Sequence, residues 1–321
     1  MNLLVVTDPL AGLAADIDAC IGLMAAAQAH GAAVWTCRPE DLSVRDGRVR
    51  AAAVRIVLRG RRRGRDHRWL VEAPWWDQVG QGVLDLAGDV DLVLLRIDPP
   101  VDGRYLHTTY LLDLVEAAGV RVVNRPAGIR ALHEKLVALR FPELCPPTLV
   151  SADPVAVRAF VGDVGVAVLK PVDGFAGSDV WLVQDDAGAT ALVESATRAG
   201  ARHVIAQAYL PDVARGNKRL FLLDGEVVGA VLRRPGPEDF RIGAPVAPAD
   251  LDDDDRRIVA AVGPLLVEHG LALAGIDVIA GRLIEVNVTC AGGMHKTDAL
   301  LGTDLSGAIV RRLLHPERHI A

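Results

Sequence analysis

Long apolar runs are missing from this 321-residue chain: no stretch approaches the ~20 residues that would span a bilayer. The start, MNLLVVTDPL, lacks the Lys or Arg of a signal peptide and carries an early Asp instead, so the sequence is expected to be cytoplasmic. Cysteine is scarce. Cys20, Cys37, Cys145 and Cys290 are scattered and form no CxxC pair, which argues against a disulfide framework or a zinc site and leaves reduced, mostly buried thiols. A single-sign tail is also absent. With a net charge of −6, the overall balance points to neither nucleic acid nor an anionic membrane surface, so small metabolites are the expected partners. Lysine is the rarest of the common charges, four of 35 basic residues (Lys135, Lys170, Lys218, Lys296). Where the chain writes Arg almost everywhere, a retained Lys marks a position that calls for a compact ammonium.

What is present is alternation. Leu3 to Thr7, a helical stretch from about Asp18 to His30, and Ala33 to Cys37 read as strand, helix and strand of a parallel sheet. Further strands, Leu92 to Arg96 and Arg121 to Val123, stop at Asp98-Pro99-Pro100 and at Asn124. Polar residues thus gather at strand C-termini, where open α/β sheets bind ligands. Pro126 opens a helical connector running through Lys135, and a domain boundary is placed there. Residues to about Ala208 then read as a small α+β module: a helix near Val155 to Phe160, strands Val166 to Lys170 and Val180 to Val183, a helix near Ala189 to Arg198, and a strand Val204 to Ala208. The last third opens on a hairpin, Arg219 to Leu223 and Val227 to Leu232, about Asp224-Gly225. A Pro/Gly-rich loop from Arg234 to Pro248, a helix from Asp252 to His269 and two strands, Ala274 to Ala280 and Leu283 to Asn287, follow.

Two segments carry chemistry. In Val168-Leu-Lys-Pro-Val-Asp-Gly-Phe-Ala-Gly-Ser-Asp-Val180 a buried strand delivers Lys170 to a loop holding Gly174, Gly177 and Ser178, whose small residues let backbone N–H groups close over phosphate oxygens. The loop is neither a Walker A motif nor a GxGxxG, and an ordinary hairpin turn with a surface Lys is the plainer alternative. In Gly275-Ile-Asp277 and Leu283-Ile-Glu285-Val-Asn287, Glu285 and Asn287 share a strand face by period-two alternation, beside Asp277. Three such oxygen ligands suit Mg²⁺, which completes its shell with phosphate and water; edge-strand polar residues are the alternative.

The order of DPP, Glu134-Lys135, LKP-x-DG, Gln207-x-Tyr209-Leu210-Pro211, Lys218-Arg219, GID and E-x-N-V-T resembles that of the ATP-grasp superfamily. Stretches such as VTDPLAG, LLRIDPP, VVNRPAGIRALHEKL, VLKPVDGFAGSDV and GNKRLFLLDGEVV resemble bacterial glutathione synthetase along nearly the whole chain. The resemblance implies α/β and α+β architecture: an ATP-grasp fold with a Rossmann-like N-terminal domain over residues 1–127, a central lid module over 128–208 and a C-terminal domain with the metal site over 209–321. It implies a carboxylate-amine ligase working through an acyl phosphate, with ATP and Mg²⁺ (or Mn²⁺) as cofactors, an acidic peptide and an amine such as glycine as substrates, and a homo-oligomeric assembly. Lys135, Lys170, Asp173, Gly174, Gly177 and Ser178 would then contact the nucleotide phosphates. Gln207, Ala208, Tyr209 and Leu210 would receive adenine, with Asn217 near the ribose. Asp277, Glu285 and Asn287 would bind metal, Arg96, Asp98, Asn287 and Thr289 substrate, and Arg219, Arg233 and Arg241 the transferring phosphoryl group.

Two departures fall on the amine side. The family's glycine-rich lid is replaced by Arg233-Arg-Pro-Gly-Pro-Glu-Asp-Phe-Arg-Ile-Gly-Ala-Pro-Val246, and its Ser-Pro-Thr by Cys290-Ala-Gly-Gly-Met-His-Lys-Thr297. His295 and Lys296 read either as contacts for a different acceptor or as a solvated loop. The rival functions are accordingly a ligase of specialised peptide metabolism with another acceptor, and a nucleotide-binding regulator without catalysis. Arg59 to Arg65 reads as an exposed hairpin rather than a nucleic-acid patch. Asp252 to Asp255 read as the charged start of a helix, and Cys290 as packing.

Overall fold

The structure, a computed structural model, describes residues 1–64, 68–174, 179–236, 239–241 and 243–315; the expected phosphate contacts Gly177 and Ser178 lie outside them. The N-terminal part runs β1 (Asn2–Thr7), α1 (Ala19–Ala29), β2 (Ala33–Cys37), β3 (Leu42–Arg45), β4 (Arg48–Leu58), β5 (Arg61–Arg63), β6 (Trp69–Val71), β7 (Trp76–Asp85), α2 (Leu86–Asp89), β8 (Leu92–Arg96), α3 (Gly103–Ala117), β9 (Arg121–Val123) and α4 (Pro126–Ala131). Its main sheet has the order β3-β4-β2-β1-β8-β9, with β7 paired to β4. The strands β2, β1, β8 and β9 are parallel. Because both faces of a parallel sheet are covered, β1 and β8 read as unbroken Leu/Val runs. The chain leaves β1 toward β2 on one side and β8 toward β9 on the other. A crevice therefore opens at the C-terminal ends of β1 and β8, between Asp8 and Asp98.

Next come β10 (Thr148–Ser151), α5 (Pro154–Val164), β11 (Val166–Pro171), β12 (Trp181–Gln184), α6 (Ala189–Thr197) and β13 (Val204–Ala208), forming an antiparallel sheet of order β10-β13-β11-β12. Asp153 caps α5, accepting a hydrogen bond from the Val155 amide, and Pro154 supplies a helix-compatible φ at the first position. The third sheet, β16-β15-β14-β17-β18, is built from β14 (Asn217–Leu223), β15 (Glu226–Arg233), β16 (Pro245–Pro248), β17 (Leu273–Ile279) and β18 (Arg282–Asn287). Between β16 and β17 runs α7 (Asp253–Glu268), and after β18 come α8 (Met294–Leu301) and α9 (Leu305–Leu314). A reciprocal box of Asp252 and Asp255 starts α7, as their sequence suggested, and Lys218 Nζ joins it at 2.6 and 2.5 Å.

Three expectations change. The connector helix stops at Ala131, because Leu132 turns extended and buries its side chain, which redirects the chain toward Lys135. The Pro/Gly-rich segment is not loop throughout, since Pro245–Pro248 pairs with β15 at the sheet edge, where proline is tolerated. Asn124, read as a ligand-facing strand end, is spent on the fold. Its amide donates to the carbonyls of Leu273 and Val288, both at 2.7 Å, and accepts from the Leu273 amide at 2.8 Å, tying the first sheet to the third.

Two hydrophobic cores also span those sheets: Leu4, Val93 and Leu95 pack with Leu220 and Ile276, and Leu3 and Leu94 with Phe221 and Leu273. The middle sheet closes its own core, with Val157, Leu169 and Val193 at its centre.

Candidate active site

A cavity of about 830 Å³ lies where the three sheets meet. Its floor is a row of charges set by strand register. Residues directly opposite in antiparallel strands share a face, and here Arg219 of β14 faces Asp277 of β17, which faces Glu285 of β18. The Arg219 guanidinium grips Asp277 bidentately, Nε–H to Oδ1 at 2.6 Å and Nη2–H to Oδ2 at 2.9 Å. Arg233 also donates to Asp277, and to Asn217 Oδ1 at 2.5 and 3.2 Å. Burial would raise the Asp277 pKa, but the two guanidiniums outweigh it and hold the carboxyl below its usual value. For Arg219 the bidentate pairing likewise outweighs burial. Arg233 differs: burial and the like charge of Arg219 exceed its shared claim on Asp277 and push it down to about 10. Among the described residues Arg233 shares its one ion-pair partner, Asp277, with Arg219, so its charge is under-compensated.

Both predicted phosphate lysines line this cavity. Lys170, near the end of β11, is 8% exposed, and burial lowers its pKa, with Lys135 adding to the shift and Glu285 and Asp277 opposing it. Lys135 donates to the Gly174 carbonyl, which places the start of the glycine-bearing loop over the lysines, and its Nζ lies 3.7 Å from Glu285. At the cavity edge the 207–210 segment continues from β13. Gln207 Nε2 donates to Thr148, and the Ala208 and Tyr209 amides are spent on the carbonyls of Pro147 and Val166. Among the described residues the Leu210 amide and the Tyr209 carbonyl make no backbone hydrogen bond.

Asp277, Glu285 and Asn287 converge on the cavity, and Asn287 donates through Nδ2 to the Gly275 carbonyl, leaving its oxygen as the end suited to a ligand. Among the described residues no group of three or more His, Cys, Asp or Glu is placed to hold a metal. Glu285 and the Asn287 oxygen suit a hard cation that takes most of its ligands from phosphate and water, as Mg²⁺ does, and Asp277, whose two oxygens already accept from guanidinium groups, can add only a remaining lone pair.

Of the other predicted residues, Asp98, Thr289 and Arg241 line the cavity. Thr289 donates to Glu134 at 2.7 Å, and Arg241 is tied through its backbone amide and Nε to Asp239. Arg96, Asp173 and Asn217 are not on the cavity wall. Arg96 and Asn217 are buried, the first donating to the Ala291 carbonyl at 2.9 Å.

Phe240, which the sequence reading passed over, lines the cavity, and its ring meets Tyr209 edge-on at 6.3 Å. Its signal was that it is the one aromatic in the Arg234 to Pro248 stretch. The sequence motif also left Glu134 without a role. It is buried and raised in pKa by that burial and by Glu285. The four thiols are free, and burial lifts Cys20 to about 11 and Cys290 well above its ordinary value. The supposed solvated loop at 290–297 enters α8, where His295 is fully buried.

Solved structures share this architecture. D-cycloserine synthetase DcsG superposes with a TM-score of 0.62 at 21% identity, covering 98% of this chain and 100% of its own. The ATP-grasp ligase PsnB, complexed with minimal precursor, superposes at 0.63 and 19%, covering 97% of each. The fold is therefore the ATP-grasp fold. The sequence places it further: residues 1–130 match the N-terminal domain of prokaryotic glutathione synthetase, and residues 134–302 match its ATP-grasp domain. Glutathione synthetase of Parasynechococcus marenigrum (strain WH8102) is 40% identical over 98% of this chain and 99% of its own. That of Thermosynechococcus vestitus (strain NIES-2133 / IAM M-273 / BP-1) is 39% identical over 97% and 98%. The chain belongs to the prokaryotic glutathione synthetase family and is a ligase forming a carbon–nitrogen bond.

Proposed function

We propose that this chain joins γ-glutamylcysteine to glycine with conversion of ATP to ADP and phosphate, forming glutathione. The reading is carried by the gathering of Lys135, Lys170, Arg219 and Arg233 around Asp277, Glu285 and Asn287 in one cavity bordered by Gln207 to Leu210. Phosphoryl transfer needs positioning and charge compensation more than covalent help from the protein, and this wall supplies both.

In the first step a cysteinyl carboxylate oxygen attacks the γ-phosphorus of ATP. The bond to the β–γ bridging oxygen breaks, and ADP leaves with the electron pair. Lys135 and Lys170 hold the phosphates, and Arg233, short of anionic partners, stabilises the equatorial oxygens. Asp277, Glu285 and Asn287 would hold Mg²⁺, which supplies charge neutralisation on the phosphates when bound. In the second step the glycine nitrogen attacks the acyl carbon, the carbon–oxygen bond to phosphate breaks, and the nitrogen releases a proton. Phe240 and Arg241, from the segment that replaces the family's glycine-rich lid, border the cavity and would limit water reaching the acyl phosphate.

We assign units 1–127, 128–208 and 209–321 to donor binding, nucleotide clasp and metal-bearing base, with homo-oligomeric assembly and a cytoplasmic site of action. Among the described residues no helix is long and apolar enough to cross a membrane. The test is ADP release with Mg²⁺, ATP and γ-glutamylcysteine, with and without glycine, and product identified by mass. Glycine-dependent ADP with a glutathione mass is expected. ADP release that glycine neither accelerates nor couples would turn the reading to another amine, and no ADP under any amine would favour a regulator.

A further inference from the structure

The chain's four lysines divide unevenly. Lys135 and Lys170 belong to the charge row, and Lys218 bonds Asp252 and Asp255 at the head of α7. Lys296 makes no hydrogen bond or ion pair among the described residues, although it is half-buried and lines the cavity beside Gly292, Gly293 and Cys290. In a chain that writes Arg for most exposed cations, an unpaired, part-buried ammonium facing a substrate cavity is left for a ligand to complete.

Its backbone is fixed. The neighbouring His295 is buried, the Trp69 ring stacks on it at 5.3 Å with 13° between planes, and Trp69 Nε1 donates to the His295 carbonyl at 2.8 Å. The Arg61 guanidinium also lies over the indole, 4.8 Å from its centre. One turn on, the buried Asp298 carboxylate accepts from the Leu305 and Ser306 amides and the Ser306 hydroxyl, locking α8 to α9.

The surroundings are electropositive. Burial, Arg68 and Arg233 all disfavour the charged form of Lys296, and the opposing Asp16 is itself in an ion pair with Arg68 at 3.3 Å. Arg233 is the under-compensated cation of the charge row, and Arg219 Nη1 donates to the Gly292 carbonyl at 3.2 Å. Lys296 lines the same cavity as Arg219 and Arg233, on a segment with no side chain at Gly292 or Gly293.

We infer that Lys296 receives the carboxylate of the amine acceptor, so that this chain selects an amino acid over a simple amine through that ion pair. The inference rests on the ligase reading and adds the residue that reads the second substrate's charge. It makes the acceptor's orientation definite: carboxylate on Lys296, nitrogen toward the acyl carbon.

The test compares wild type, Lys296→Met and Lys296→Arg with glycine and with glycinamide, alongside hydroxylamine, which traps the acyl phosphate without an acceptor carboxylate. Wild type is expected to prefer glycine. Lys296→Met should raise the KM for glycine by about 10- to 100-fold, the range for a charge-assisted hydrogen bond, and bring glycine and glycinamide together. Lys296→Arg should restore part of the preference. A Met variant with unchanged glycine KM and unchanged glycine-to-glycinamide ratio overturns the assignment, as does a change confined to the KM for ATP, which would make Lys296 a phosphate ligand. If wild type traps hydroxylamine but does not use glycine, the glutathione reading fails alone. Amines with and without a carboxylate then decide Lys296: a preference lost in the Met variant supports it, and one that persists or never existed refutes it.

Discussion

Replacing Asp277 by Ala strands two buried cations at once. The carboxylate is 1% exposed, and its partners Arg219 and Arg233 have side chains only 9% and 12% exposed. Removing one partner of a buried, hydrogen-bonded pair costs about 3–5 kcal/mol, most of it the penalty of the uncompensated charge left behind. With a urea slope near 3 kcal/mol/M, that lowers the midpoint by about 1 to 1.7 M. Arg233 is already the poorly compensated member, so adding Arg233→Met should recover part of the loss. The double variant would then be more stable than Asp277→Ala alone, although neither has activity. The folded pKa of Asp277 is lowered, so its contribution is fully present above the ordinary value of 3.8 and is lost as pH falls through the folded value. The difference between wild type and Asp277→Asn should be flat from about pH 5 to pH 8 and shrink below about pH 4. Urea titrations followed by tryptophan fluorescence check both points. An Asp277→Ala midpoint within error of wild type, or a double variant less stable than the single one, would refute the account of the charge row.

Other perturbations read neighbouring parts. Lys170→Ala should abolish ATP-dependent phosphate release while leaving the circular dichroism spectrum intact; substantial residual turnover argues against its phosphate contact. Nucleotide binding should raise the lowered Lys170 pKa toward its ordinary 10.5, so ATP binding at alkaline pH should take up protons, measured by calorimetry in buffers of differing ionisation enthalpy. Asp277→Asn with Glu285→Gln should remove magnesium dependence together with activity, and a normal magnesium titration in that variant contradicts the donor set. Asn124→Ala leaves one buried amide and two carbonyls short of partners, and at about 1 kcal/mol or more for each the urea midpoint should fall by about 1 M at the same slope.

The central strands were legible because burial on both faces leaves continuous apolar runs: Leu92–Arg96 and Val204–Ala208 fall where the sequence put them. The long antiparallel pair of β4 and β7 was not read. Arg48–Leu58 is rich in Arg and Ala, and Val79 and Val83 on its partner are exposed, so neither strand shows a clean core face. Segment 290–297 misled for a related reason. The α8 sequence looks polar because His295, Thr297 and Asp298 are polar, yet all three are buried and Thr297 and Asp298 are bonded within the fold. Asn124 looked like a ligand residue because polarity at a strand end does not say whether the partner is a metabolite or another strand. Alternation made the shared face of Glu285 and Asn287 readable, whereas Arg219 was indicated only by the family resemblance, and its place opposite Asp277 comes from strand register. The compensation of Arg233 depends on three-dimensional counting of neighbours and left no sequence trace.

The way the cores are divided decides which part of this molecule can act as a door. Asn124 and two shared hydrophobic cores weld the outer sheets into one frame, whereas the middle sheet keeps its oily interior to itself. Displacing that sheet as a unit would leave all three cores intact, which separates such an opening from unfolding. Lys170 travels with the door, and Asp277 and Glu285 stay on the frame. A ligand bound across Lys170, Asp277 and Glu285 would bridge door and frame and resist such an opening.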